Sequence, residues 1–139
     1  METFNNSWTD DIENIIFTRI KKYGKDKLSN IYPDILFTTT NKNSGTPTFP
    51  TVYVHAIGGS ERGADLEGKT INAILYSVQI DVYHDKRQDD VKKIMSVMKD
   101  IMKGMSFNVI SLPENTFESS SVYRSTARFR RTIGSGDKL

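Results

Sequence analysis

Three arginines occupy positions of one parity in a short segment near the C-terminus, a spacing that would place their charges side by side for binding a partner. The segment VYRSTARFRRTI, residues 122–133, places Arg124, Arg128 and Arg130 at positions of one parity. Apolar side chains occupy the other parity, interrupted by Arg131, at Tyr123, Ala127, Phe129 and Ile133. Because successive side chains on a β-strand point to opposite faces, this pattern predicts a strand with one cationic and one apolar face. The cationic face would meet water, carboxylates, another subunit or phosphates, and composition alone does not choose among them.

Carboxylates at the end of a second predicted strand form another candidate group. Asp81 lies on the polar side of that strand, and we expect it to pair across the sheet with Arg128 or Arg130. Further carboxylates follow at Asp85, Asp89 and Asp90. Helix capping and the helix dipole explain the last two more economically than a cluster that binds a hard metal ion does.

The remaining motifs point to no catalysis and no cofactor. His55 and His84 have no metal-binding spacing, and we predict that both are ordinary surface or strand-edge residues. The segment GGSERG, residues 58–63, matches neither of the common phosphate-binding loop patterns and runs into a strand instead of a helix. The chain has no cysteine, which excludes disulfides, thiolate catalysis and cysteine-ligated metals. We therefore predict a protein that is not an enzyme and has no metal or cofactor.

Length and charge favour one globular domain with an uneven surface charge. The 139 residues suit a single domain over residues 1–139, and 37% hydrophobic with 26% charged residues suits a soluble protein. The net charge is +2, yet the residues from Ser119 onward carry +4 and the rest carries −2. This segregation favours a directed electrostatic contact. The absence of cysteine, of a secretory leader and of a long apolar run predicts an intracellular protein without membrane contact.

Hydrophobic periodicity predicts two helices and five strands. The predicted helices cover residues 8–23, with fraying toward residue 28, and residues 89–104, with Gly24 and Gly104 near their ends. Methionines on the second helix are expected to face the core. The predicted strands cover residues 34–40, 51–58, 70–84, 107–113 and 122–132. Residues 41–50, 58–69 and 114–121 are predicted loops, and residues 1–6 and 134–139 are predicted to be flexible.

The order α-β-β-β-α-β-β predicts an α+β fold. We expect a mostly antiparallel sheet of four to five strands, with the two helices packed on one face.

This layout resembles the small tail-terminator, or tail-completion, proteins of long-tailed bacteriophages. The resemblance rests on the N-terminal amphipathic helix and on the segments TVYVHAIGG, ILYSVQIDVYH followed by a helix, and VYRSTARFRRTIG. It spans nearly the whole chain and includes no catalytic motif. The resemblance implies a virion protein, assembled in the host cytoplasm, that forms a ring, typically a hexamer. Such a ring caps the tail tube, ends its polymerisation and provides the surface to which the head docks, so its partners are the tail tube protein and the head–tail connector proteins.

A ring of this kind gives the charged residues a role at subunit contacts or along the channel through which DNA passes. The candidate interface or channel-lining residues are Arg124, Arg128, Arg130, Asp81, Glu61 and Arg62.

Two other functions stay open at this point. The first is a head–tail connector, or neck, protein of the same virion. The second is a small nucleic-acid-binding module that uses the arginine strand. Stacking of bases requires aromatic side chains on the same face as the cations, whereas Tyr123 and Phe129 lie on the opposite face of that strand. An enzyme built on Asp81, His84 and Asp85 is a distant third.

Overall fold

A computed structural model of the chain describes residues 7–40, 49–62, 73–119, 122–134, 136–137 and 139. A 3-10 turn at Ser7–Asp11 leads into helix α1 (Ile12–Leu28), and the second helix, α2, is Gln88–Gly104. The strands are β1 (Leu36–Thr38), β2 (Thr51–Arg62), β3 (Ala73–His84), β4 (Asn108–Ser119) and β5 (Val122–Gly134). The predicted α+β class and the predicted order of elements are confirmed.

The five strands form one mixed sheet in the order β1-β2-β3-β5-β4. β1 pairs with β2 in parallel, and the other three pairings are antiparallel. β3 lies at the centre and is paired along its whole length, from Ala73 opposite Gly134 to His84 opposite Tyr123. β1 and β4 are therefore the two edges, and they differ in length and in strand direction relative to their neighbours.

Both helices pack on one face of the sheet, because the strands alternate apolar with polar side chains and each helix has one apolar stripe. The strands supply this face with buried aliphatic and aromatic side chains, among them Val52, Val54, Val78, Ile80, Ala127 and Phe129. α1 covers them with Ile12, Ile16 and Ile20, and α2 covers them with Val91, Ile94, Met95, Met98 and Met102. The prediction that the methionines belong to the core is confirmed. Burying each such large side chain contributes about 1.5–3 kcal/mol relative to leaving it exposed.

β4 is longer than the sequence predicts. Residues 114–119 were expected in a loop, but they extend β4 to Ser119 opposite Val122 of β5. Three register shifts along β4, the first between Val109 and Ser111, remove the strict alternation that marks a strand in a sequence. β5, which alternates clearly, provides the backbone partner that keeps β4 extended.

The second strand is also longer than the predicted 51–58, since β2 continues through residues 59–62, which were expected in a loop. Their backbone pairs with β3 up to Arg62 opposite Ala73. The rest of that predicted loop, residues 63–72, and most of the other one, residues 41–48, lie outside the described residues, as does the N-terminal segment 1–6.

Gly24 does not end α1, which continues for one more turn to Leu28. Gly24 is buried, and a Cβ atom at this position would lie 2.5 Å from Cζ of Phe37. This glycine therefore serves the close approach of α1 to β1. The predicted end of α2 at Gly104 is confirmed. Ser106, with a φ of 67°, reverses the chain there, and the amide of Phe107 donates to the carbonyl of Met102 at 3.0 Å.

The predicted flexible C-terminal segment begins inside the sheet, because Gly134 is the last residue of β5. Its amide donates to Oδ2 of Asp137 at 2.8 Å, and Nη2 of Arg131 donates to the same oxygen at 3.1 Å. Nη1 of Arg131 also donates to the carbonyl of Met105 at 2.8 Å. Arg131 thus ties the end of α2 to the chain that follows β5 and takes no part in the row of alternating arginines.

Candidate interaction face

No described helix packs on the second face of the sheet, which we call the open face. It is formed by side chains of β2, β3 and β5, namely Tyr53, His55, Ser77, Gln79, Asp81, Tyr83, Arg124, Thr126, Arg128 and Arg130. The predicted alternation of β5 is confirmed, since Ala127, Phe129 and Ile133 are buried while Arg128 and Arg130 are exposed. The open face is thus polar and aromatic, in contrast to the apolar face beneath the helices.

Strand register brings these side chains together in rows that cross the sheet. One row joins Tyr53, Asp81 and Thr126, because each residue lies opposite the next on the neighbouring strand. The adjacent row joins His55, Gln79 and Arg128. Directly opposite side chains on neighbouring strands lie about 5 Å apart at their Cβ atoms, so each row is in mutual contact range.

Asp81 is the centre of a hydrogen-bond network and is only 2% exposed. Its carboxylate accepts from Oγ1 of Thr126 at 2.6 Å and from Nη2 of Arg124 at 3.0 Å. Nε2 of Gln79 donates to it at 3.1 Å, and Nε2 of His55 lies 3.2 Å from the same oxygen, Oδ2. A buried carboxylate is stable in a protein when donors and an opposite charge surround it, as they do here.

The expected pairing of Asp81 with Arg128 or Arg130 is wrong, since its ionic partner is Arg124. Arg124 and Arg128 flank Thr126, the residue opposite Asp81, on its two sides. Gln79 lies directly opposite Arg128 and accepts a hydrogen bond from it, whereas Arg124 lies opposite Tyr83 and reaches Asp81 diagonally.

The network lowers the pKa of Asp81 below its ordinary value. Burial by itself raises the pKa, because it penalises the charged carboxylate, but the other effects outweigh it. Hydrogen bonds from Thr126 and Gln79, followed by the charge and the hydrogen bond of Arg124, favour the ionised form. Asp81 therefore stays charged at neutral pH, and its charge is compensated by Arg124.

Arg128 and Arg130 are exposed and bind neutral acceptors. Nε of Arg128 donates to Oε1 of Gln79 at 3.0 Å, and Nε of Arg130 donates to Oγ of Ser77 at 3.4 Å. Within the described part of the chain neither arginine forms an ion pair with a carboxylate. The three arginines thus divide into one that is neutralised by Asp81 and two that keep their charge at the surface.

Aromatic side chains of β2 and β3 lie on the same face as these arginines. Tyr53 and His55 stack with ring centroids 4.3 Å apart and an angle of 6° between their planes. The guanidinium of Arg124 lies 5.7 Å from the ring centroid of Tyr83. The alternation in the sequence places Tyr53, His55 and Tyr83 on the polar parity of β2 and β3, but only strand order and register bring them beside the arginines.

The backbone of Glu61 and Arg62, the other two candidate residues, lies far along β2 from Tyr53. They are near the end of β2, opposite Ile74 and Ala73. Arg62 is nine residues beyond Tyr53, a distance of about 30 Å along a strand. The candidate interface residues therefore fall into two separate places, one at the Asp81 network and one at the end of the β2–β3 hairpin.

His84 lies on the helix side of the sheet, with its Nδ1 3.5 Å from Oδ1 of Asp85, whereas Asp81 lies on the open face, so the three residues are not brought together. The prediction that His84 is a surface residue is wrong, because it is buried where β3 meets α2. Its Nε2 lies 3.7 Å from Oδ2 of Asp90, and its ring packs edge-on against Tyr32. The hydroxyl of Tyr32 donates to Oδ1 of Asp90 at 2.7 Å. Burial and this hydrogen bond raise the pKa of Tyr32 to about 12.

No described group of three or more histidine, aspartate or glutamate residues could hold a metal ion. Asp81, Asp85, Asp89 and Asp90 do not form the cluster considered from the sequence.

We expect mild acid to destabilise the protein through His84. Burial lowers the pKa of His84 below 6.5, more than the nearby carboxylates of Asp90 and Asp85 raise it. Below pH 6.5 the unfolded chain therefore binds a proton that the folded chain resists, and stability falls with pH until the folded pKa is reached. Thermal unfolding measured from neutral pH downward should show this decline. In His84→Gln the decline should be smaller over the same window, and an unchanged pH profile would contradict the assignment.

The sequence was compared with models of known protein families and with curated proteins, and neither comparison found a match. Neither of the two described helices is long and apolar enough to span a membrane.

Proposed function

We propose that this protein is a non-catalytic structural component of a phage virion. It forms a ring, typically a hexamer, on the end of the tail tube, ends polymerisation of the tube and provides the surface to which the head docks. Its partners in this proposal are further copies of itself, the tail tube protein and the head–tail connector proteins. The resemblance of the sequence layout to tail terminators motivates the proposal, and the two edges of the sheet support it.

The observation that carries the proposal is the exposure of large apolar side chains at both edges of the sheet. Leu36 on β1 is 43% exposed at one edge, and Ile110 and Leu112 on β4 are 42% and 74% exposed at the other. The two edges are separated by the full width of the sheet in the order β1-β2-β3-β5-β4. A single copy therefore presents one exposed leucine on β1 and two exposed apolar side chains on β4, so the two edges differ in sequence.

Two unlike edges favour a head-to-tail contact, in which one edge of each copy meets the other edge of the next. Contacts of this heterologous kind generate a ring when the rotation between copies closes. The register shifts between Val109 and Glu114 on β4 interrupt the regular ladder at this edge. Irregular edges oppose unlimited strand-to-strand pairing, so the contact is expected to rest on side chains such as Leu112.

We expect Leu112→Lys to weaken assembly strongly. The substitution replaces an apolar contact worth about 1.5–3 kcal/mol by a charge, which raises the concentration needed for half-assembly by at least about tenfold. Light scattering of the protein across a range of concentrations and salt conditions measures this change. The matched control is Ile15→Lys, because Ile15 is also apolar and 43% exposed but lies within helix α1 and not on an edge strand.

A ring in the wild type that is lost in Leu112→Lys and kept in Ile15→Lys supports the proposal. A wild-type monomer at every concentration contradicts it. Adding the assembled protein to growing tail tubes then tests the cap itself, since a terminator stops growth at a fixed length. A ring that leaves tube growth unchanged would instead assign the protein to the head side, as a connector.

A further inference from the structure

We infer that the open face binds the phosphodiester backbone of a nucleic acid through Arg128 and Arg130. This activity goes beyond the capping of a tube. It depends on the geometry of a single chain and holds whether or not the chain forms a ring. In an edge-to-edge ring with the helices outside, the open faces of all copies would surround a common channel.

The two arginines are placed and oriented for phosphates. They are two residues apart on one strand, so their Cα atoms are separated by about 7 Å, a spacing that successive phosphates of one strand can match. Gln79 and Ser77 each hold one Nε atom, which leaves the two Nη groups of each guanidinium for an external anion. A guanidinium held in this way binds a phosphate through paired hydrogen bonds with less loss of conformational freedom.

Because of the Asp81 network, the positive charge available to a ligand lies at Arg128 and Arg130 and not at Arg124. Arg124 is held by Asp81 at 3.0 Å, and the carboxylate itself is buried and faces no ligand. Glu114 on the edge strand is exposed opposite Thr126 and adds a negative charge on the Asp81 side. The cationic patch is therefore the pair Arg128 and Arg130, with neutral residues opposite both on β3.

Aromatic residues on the open face favour a nucleic acid over the carboxylates of a neighbouring subunit. Tyr53 and His55 stack on each other two strands away from the arginines, a distance of about 10 Å across the sheet. A backbone that follows β5 can direct its bases toward β2, where the stacked rings offer an aromatic surface. Proteins that bind single strands combine a cationic path for the backbone with aromatic platforms for the bases in this way. A partner that contacts the arginines through carboxylates would have no bases to stack on these rings.

Fluorescence anisotropy with a labelled oligothymidylate, and with a duplex of the same length, tests the inference. The double variant Arg128→Gln/Arg130→Gln should bind at least about tenfold more weakly than wild type at low salt. The slope of log affinity against log salt should fall by about 1.4, because each lost phosphate contact on a single strand removes about 0.7. The control Lys21→Gln/Lys93→Gln removes the same charge from exposed positions on α1 and α2, and it should change the affinity by less than about twofold.

Two further variants separate charge from fold and single strand from duplex. Arg128→Lys/Arg130→Lys keeps both charges and should restore most of the salt slope, which a folding defect would not allow. Tyr53→Leu should weaken binding of the oligothymidylate by about tenfold and leave the duplex unchanged if bases stack on the rings. If Tyr53→Leu binds both the oligothymidylate and the duplex as tightly as the wild type does, the ligand is the duplex backbone.

No binding of either probe at low salt overturns the inference, as does an equal loss in the lysine control. If the wild type binds no nucleic acid and the double arginine variant loses assembly, the open face is a subunit contact. Leu112→Lys distinguishes this failure from a failure of the ring. That variant should lose assembly and keep the affinity of each chain for the probe.

Discussion

Replacing Asp81 by alanine is expected to lower the free energy of unfolding by about 3–5 kcal/mol. The substitution removes the acceptor that Thr126, Arg124 and Gln79 share, including the buried carboxylate that the guanidinium of Arg124 contacts at 3.0 Å. Losing one member of a buried ion pair costs more than the pair itself contributes, because the remaining charge stays desolvated. Chemical denaturation at neutral pH measures the loss.

A matched control for this prediction is Asp89→Ala. Asp89 also faces an arginine, Arg87 at 3.5 Å, but its side chain is 76% exposed. Exposed pairs of this kind contribute about 0–1 kcal/mol and a carboxylate in the first turn of a helix about 0.3–1 kcal/mol, so the control should lose much less stability than Asp81→Ala. Similar losses in both variants, or a loss below about 1 kcal/mol in Asp81→Ala, would contradict the central role of the network.

The same network predicts how acid acts on the wild type. The folded pKa of Asp81 is lower than its ordinary value of 3.8, so the unfolded chain takes up a proton first as the pH falls. The stabilising contribution is fully present above pH 3.8 and is lost as the pH falls through the folded pKa. Asp81→Ala should lack this dependence, and it should therefore lose less stability than the wild type in that acidic range.

The network also separates two roles that the sequence presents as one. Arg124, Arg128 and Arg130 share a parity, and nothing in the sequence distinguishes them. Their difference comes from the residues opposite them, since Asp81 reaches Arg124 while Gln79 and Ser77 meet the other two. One arginine is thereby part of the fold, and two are available for a partner. Mutating Arg124 is expected to reduce stability, whereas mutating Arg128 or Arg130 is expected to reduce binding.

Most of the fold could be predicted from the sequence because its elements carry strong periodic patterns. The alternation in β3 and β5 and the three-four spacing in α2 each correspond to one buried face, and burial fixes the type of element. The same rule fails for β4, whose register shifts break the alternation. Its last six residues, 114–119, form a strand because β5 lies beside them, a long-range effect that a local pattern does not contain.

The sequence was enough to predict which charged residues belong to the site, but not which of them contact one another. The arginine row and Asp81 were identified from their parity on two strands. The partner of Asp81 and the aromatic residues on the open face depend on which residues of β2, β3 and β5 lie opposite one another. A shift of one residue in that register would move Tyr53 and His55 to the other face. Strand order and register are properties of the folded sheet, and no motif in this sequence encodes them.

Gly24→Val is expected to lower the free energy of unfolding by about 3 kcal/mol. A Cβ atom at Gly24 would lie 2.5 Å from Cζ of Phe37 and 3.2 Å from Cε of Met98, and valine adds two methyl groups beyond it. Both neighbours are buried, so α1 must move away from β1 and α2 or the ring of Phe37 must leave its position. Overpacking outweighs the gain in helix propensity, which is at most about 0.5 kcal/mol when valine replaces glycine. Chemical denaturation measures the net loss.

The glycine that ends α2 provides the control for this last prediction, and a second substitution tests its cause. Nothing lies within 4 Å of a Cβ atom at Gly104, so Gly104→Val should stay within about 0.5 kcal/mol of wild type. Adding Phe37→Leu to Gly24→Val removes the ring atoms that the new side chain meets. The double variant should recover part of the loss, with a coupling energy of about 1–2 kcal/mol, because residues in direct contact are not additive. Strict additivity would mean that Gly24 matters for the backbone of α1 and not for its close contact with β1.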